Sequence, residues 1–156
     1  MAEQNMDHAQ VMVPPPLVFL GYLIGALILN WIVPFPAPWT FILRLVGGLI
    51  VIAGILLVVS AFSQMRKAHT SPDAHQPVTA FVTTGPYRFT RNPINLGFFL
   101  IYLGFTLLAG TLWGLITSPF LIWTITQAVI HAEEIYLDEK FGEQYKQYRS
   151  RVRQWI

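Results

Sequence analysis

Apolar residues in this chain run in blocks that are broken by proline or by charge. The first block covers roughly 17–33, about 17 residues or about 25 Å of helix, which is enough to cross a bilayer. Pro34, Pro36 and Pro38 end it in a tight uncharged turn, with Trp31 and Trp39 beside it as interfacial aromatics. A second block covers roughly 41–62, and Arg44 lies close enough to its start to snorkel. From Ile94 to Ile130 there is no charged residue, a run of 37 positions that is too long for one span and right for two. A turn near Gly110 divides it into spans of roughly 94–109 and 112–130, and Pro119 is expected to kink the fourth helix. Gly97, Gly104, Gly110 and Gly114 permit close helix approach, which ordinary packing also explains.

The polar stretches lie between and after these blocks. Residues 63–91 hold Arg66, Lys67, His69, Asp73, His75, Arg88 and Arg91 among several prolines, without a clear period. The apolar run Thr79-Ala80-Phe81-Val82 inside them points to an ordered loop. After Ile130, the residues Glu134, Leu137, Phe141, Tyr145, Tyr148 and Val152 recur at three- and four-residue steps. They predict an amphipathic helix over 131–152, with Gly142 as its weak point. Met1 to Gln10 reads as a polar tail, and Pro14 to Pro16 lead into the first span. No Lys/Arg-rich region or small-residue cleavage site marks a removable signal peptide.

Composition agrees with lipid as the solvent of the core. Hydrophobic residues make up 54% and charged residues 12%, about half the charge usual in a soluble domain. The absence of cysteine excludes disulfides, thiolate metal sites and a cysteine nucleophile. His69 and His75 are lone loop histidines, so no metal site is expected. A sequence pI of about 9.1 raises the question of nucleic acid, but the cations flank the apolar blocks. The 63–91 segment carries four Lys/Arg and the segment after Ile130 carries five, while the short turns carry none. With four spans these segments share one side, which the positive-inside rule makes cytoplasmic together with both termini.

Two clusters at that side carry candidate chemistry. Gly85-Pro86-Tyr87-Arg88 is a turn signal, and Asn92-Pro93 reads as an N-cap followed by proline in the first helical turn. A helix start of this kind can bind a carboxylate, although Tyr and Arg also serve as plain interfacial anchors. The second cluster is Glu133-Glu134 at the foot of the last span. A carboxylate there needs a cation, either on a ligand or on Arg88 or Arg91.

The ordered set Val82-Thr83-Thr84-Gly85-Pro86-Tyr87-Arg88, Arg91-Asn92-Pro93-Ile94-Asn95, Glu133-Glu134 and Phe141-Gly142-Glu143-Gln144-Tyr145-Lys146-Gln147-Tyr148 resembles the isoprenylcysteine carboxyl methyltransferase and phospholipid methyltransferase superfamily. The likeness covers about 64–152. It implies an all-α polytopic membrane fold: one membrane domain over 1–156, about four transmembrane helices, a cofactor-binding loop over 63–93 and a cytosolic amphipathic helix after the last span. It implies S-adenosylmethionine as methyl donor, held by Val82, Tyr87, Asn92, Pro93, Asn95 and Glu133, with Phe81 near the adenine and Glu134 completing the acidic pair. The acceptor implied is hydrophobic or membrane-associated, with a carboxylate, amine or thiol to methylate. The expected setting is a bilayer, by type a bacterial inner membrane, with no nucleic acid and no metal. Asn95 stands where the family usually has Tyr, and Val129 stands where animal prenylcysteine enzymes have an Arg. The rival readings are a sterol-reductase relative, which needs more spans, and a non-enzymatic membrane protein of the same fold.

Overall fold

A computed structural model describes residues 13–38, 40–70 and 78–156. Trp39, Asp73, His75 and the tail Met1 to Gln10 lie outside the described residues. Among the described residues, six α-helices follow in chain order: α1 (Pro15–Ile32), α2 (Thr40–Lys67), α3 (Pro93–Leu108), α4 (Trp113–Ile125), α5 (His131–Phe141) and α6 (Glu143–Arg151). The turn Gly85–Arg88 is a 3-10 helix, and the single π turn Thr126–Ile130 joins α4 to α5.

The fold is all-α and suited to a membrane. Among the described residues, three segments are long and apolar enough to cross one: α1, α2, and the continuous helical stretch Trp113–Phe141. The shorter apolar α3 lies along α2. Large side chains such as Leu56 and Trp123 are 63% and 66% exposed. In water these faces would form an adhesive patch; in hydrocarbon they match the solvent. The buried core, with Phe19, Tyr102, Leu121, Ile125, Val129 and Ile130, sits where α1, α3 and α4 meet.

The α2–α3 pair is the tightest contact. Gly47 and Gly54 are seven residues apart, as are Gly97 and Gly104, and the two pairs face each other in antiparallel register. A Cβ on Gly54 would lie 2.7 Å from the Gly97 carbonyl oxygen, and one on Gly47 would lie 2.7 Å from that of Gly104. Only hydrogen fits there, so the backbones touch, as small residues allow inside membranes.

At one end the two uncharged turns clasp each other. Ala37 N–H donates to the Gly110 carbonyl at 2.9 Å, and Leu112 N–H donates to Phe35 at 3.0 Å. The polar segments therefore gather at the opposite end.

Several boundaries differ from the sequence reading. α2 does not stop at Phe62 but continues to Lys67. The end of an apolar block is a change of side-chain polarity and not of backbone preference, and Arg66 and Lys67 suit a helix C-terminus. Pro119 lies inside α4, and Ser118 Oγ donates at 2.8 Å to the Leu115 carbonyl that a proline cannot serve. The departure from α geometry falls later, at the π turn. The predicted helix over 131–152 breaks at Gly142, whose φ of +50° favours glycine.

Candidate active site

The loop before α3 is ordered by named contacts. Gly85 has a φ of +62°, and a Cβ there would lie 2.7 Å from the Gln64 side chain. Thr84 Oγ1 donates to Gln64 Oε1 at 3.0 Å, which ties the turn to the end of α2. On its other side, Tyr148 Oη donates to the Tyr87 carbonyl at 2.7 Å, which ties it to α6.

These elements enclose a cavity of about 360 Å³, within the ~300–1,000 Å³ usual for small-molecule sites. Phe81, Val82, Tyr87, Asn92, Pro93, Asn95, Glu133 and Glu134 all line it. Tyr87 and Glu133 therefore share one cavity at one end of the bundle. The lining also includes Pro14, Pro15 and Pro16 from the start of α1, Phe62 and Met65 from α2, and Phe98 from α3. The sequence reading did not place these last six there, because only the folded bundle brings them to that end.

The acidic pair is divided. Arg91 Nη1 lies 2.9 Å from Glu134 Oε1, and each side chain is 11% exposed. Gln154 Nε2 donates to the same oxygen at 3.1 Å. Glu134 is thus held by protein, as the ion-pair reading allowed. Among the described residues, Glu133 has no hydrogen-bond or ionic partner. A half-buried carboxylate without a partner favours a cation or hydrogen-bond donors arriving from a ligand.

The start of α3 is also open. Asn92 occupies the N-cap position but makes no side-chain cap; its Nδ2 donates to the Gln154 carbonyl at 3.1 Å. The capping expected of Asn92 is corrected here, because that carbonyl takes its amide away. The first-turn N–H groups of α3 are left without a side-chain cap, which is the condition for anion binding. Asn95 is 4% exposed, and its Oδ1 is buried with no partner among the described residues. Arg91 Nε is in the same state. Buried orphans of both signs on one cavity wall fit a ligand carrying both donors and acceptors.

Phe81 stands inside an aromatic cage. It stacks on Phe141 at 5.4 Å between centroids and meets Tyr145 and Tyr148 edge-on at 5.7 Å and 5.1 Å. Phe141, Tyr145 and Tyr148 belong to the stripe seen in the sequence, and the break at Gly142 lets both helices contribute. Burial, then the Glu133 and Tyr148 charges, push the Tyr87 phenol well above its usual value. Burial and Glu134 push Tyr145 up to about 12, against the opposing pull of Arg91 and Arg149. Burial also raises Tyr148, with Tyr145 adding to it and Arg91 opposing. All three phenols stay neutral near pH 7. Val129 is wholly buried in the core.

Fold and cavity together define a class: a polytopic helical membrane protein with a small-molecule site where its loop and final helices close on the bundle. The phospholipid methyltransferase family model matches residues 42–144, and the chain belongs to that family within the superfamily that also holds the isoprenylcysteine enzymes. It is 37% identical over 71 residues to the protein-S-isoprenylcysteine O-methyltransferase of Schizosaccharomyces pombe, covering 46% of this chain and 30% of that protein. It is 29% identical over 127 residues to the Saccharomyces cerevisiae protein of the same name, covering 76% and 53%. An uncharacterised Haemophilus influenzae protein is 38% identical over 61 residues, covering 39% of this chain and 97% of that one. The chain thus spans 30% and 53% of the two curated methyltransferases it matches. No solved structure matches.

Proposed function

We propose that this chain is a membrane-embedded methyltransferase that takes its methyl group from S-adenosylmethionine and passes it to a hydrophobic or membrane-associated acceptor. The observation that carries this reading is Glu133: a carboxylate with no protein partner among the described residues, in one cavity with Tyr87 and the uncapped start of α3. Bound there, S-adenosylmethionine supplies an electrophilic methyl group on a sulfonium. Glu133 and the faces of the aromatic side chains suit the cationic groups. The α3 amides and the free Nε of Arg91 suit the carboxylate. Asn95 Oδ1 is an acceptor for a ligand N–H. The residues act by alignment and by excluding water, which is most of what an in-line displacement needs.

The acceptor side is apolar. Pro14 to Pro16, Phe62, Met65 and Phe98 bring the starts of α1 and α3 and the end of α2 to the cavity wall. They suit an amphiphile whose tail stays in lipid while its carboxylate, amine or thiol meets the methyl donor. The buried Val129 offers no cation for a substrate carboxylate, which favours an acceptor other than a prenylcysteine. The polar end faces the cytoplasm in this reading, since nine of ten Lys/Arg lie in the segments that meet there.

The test is transfer itself. Membranes containing the protein are incubated with methyl-labelled S-adenosylmethionine, and label in the lipid fraction is compared with that from Glu133→Gln. Label that follows the wild-type protein supports the reading; equal label from both overturns it.

A further inference from the structure

The segment after α6 closes the site in a way no sequence period announces. Val152 leaves the helix with extended backbone, φ −117° and ψ 130°. Residues 153–155 then cross the start of α3. Arg91 N–H donates to the Arg153 carbonyl at 2.9 Å. Thr90 Oγ1 and Asn92 Nδ2 both donate to the Gln154 carbonyl at 3.1 Å. The Gln154 side chain reaches the opposite wall, where Nε2 donates to Glu134 Oε1 at 3.1 Å. Trp155 anchors the crossing: Nε1 donates to Thr126 Oγ1 at 3.3 Å, and its ring meets Phe99 edge-on at 6.4 Å.

We propose that Gln154 is a positioning residue of the methyl-transfer site, clasping the start of α3 to α5 through Asn92 and Glu134. This rests on the functional reading above. The cavity walls are far apart in sequence, and Gln154 touches both. By helping Arg91 hold Glu134, it fixes the rotation of α5. Glu133, the preceding residue and about 100° round the helix, then has no partner among the described residues and lines the cavity. The π turn at which Trp155 anchors is the place where α5 has left the register of α4, so the clasp holds the least regular joint of the helix. A wall ordered before the ligand arrives binds it more tightly than one ordered by it.

The test compares the full chain in detergent with Gln154→Leu, and with Trp155→Phe, which keeps the ring and removes the donor. Hydrogen exchange is read at 91–96 and 132–137 and along the α2–α3 seam. Gln154→Leu removes the Nε2 contact to Glu134 but keeps the backbone carbonyl to which Thr90 and Asn92 donate, so exchange should speed at 132–137, less at 91–96, and not along the seam. It should weaken S-adenosylmethionine binding by about tenfold, the size of one hydrogen bond to a charged group. In a Glu134→Met background, which has no acceptor for the Gln154 amide, the same change should have little further effect on affinity, which a merely structural role would not produce. Trp155→Phe should shift exchange in the same direction by less. Unchanged exchange at both walls, or loss of protection that includes the seam, overturns the clasp. Absence of S-adenosylmethionine binding in wild type defeats the methyltransferase reading instead, and exchange still decides the clasp.

Discussion

The α2–α3 pair has two ends of opposite character. Along its length, glycine meets backbone at Gly47, Gly54, Gly97 and Gly104, with no room for a methyl group. At its polar end the same two helices line a cavity, and α3 begins with no side-chain cap from Asn92. The seam satisfies its polar groups within each helix and gains by contact. The cavity wall leaves Asn95 Oδ1 and Arg91 Nε buried without partners among the described residues. A rigid seam lets the protein hold such an open, polar wall in place, because the unsatisfied groups cannot relax by shifting the helices. Stability and binding should therefore respond to different residues.

The largest break in that comparison is Arg91→Met, since Arg91 lies on the cavity wall yet serves stability as well as binding. It leaves Glu134 buried without its cation and should cost about 3–5 kcal/mol of stability as well as ligand affinity, seen as a lower unfolding temperature in detergent. Gly54→Ala should act on the seam alone. Overpacking against the Gly97 carbonyl should cost about 1–3 kcal/mol, while protein that remains folded keeps its affinity for S-adenosylmethionine. Alkaline pH sharpens the comparison at the polar end. Tyr145 ionises in the unfolded chain near its usual 10 and in the folded chain at about 12, so its stabilising effect is complete below pH 10 and lost as pH rises from there through 12. Melting curves across that window should fall, and less steeply in Tyr145→Phe. The smallest effect belongs to Tyr148→Phe. It removes one hydrogen bond to the Tyr87 carbonyl and should cost about 0.5–1.5 kcal/mol, with a modest loss of affinity as the 3-10 turn loosens.

Much of this was legible in the sequence because a bilayer imposes simple rules. Charge-free length marked the apolar helices, and the turn of Pro34, Pro36 and Pro38 marked the end of α1. Gly85-Pro86-Tyr87 and Asn92-Pro93 announced a turn and a helix start from local chemistry. What stayed hidden depends on segments meeting in space. Nothing near Glu134 reveals that Arg91, rather than Arg88, would neutralise it, or that Gln154 would take the Asn92 amide. The apolar block ends at Phe62, but α2 had no physical reason to stop there. The stripe from Ile130 to Val152 was real, yet the period could not show that a π turn and Gly142 would break the helix carrying it. The eight proposed cofactor residues do line one cavity; what fills it is a question for ligand binding.

Calorimetry of purified protein in detergent, titrated with S-adenosylmethionine, addresses the central claim most directly, with Glu133→Gln alongside. The account predicts saturable binding to wild type and about ten- to a hundredfold weaker binding to the variant, at an unfolding temperature close to that of wild type. Folded wild-type protein that takes up no ligand, or a variant that binds as tightly as wild type, contradicts it.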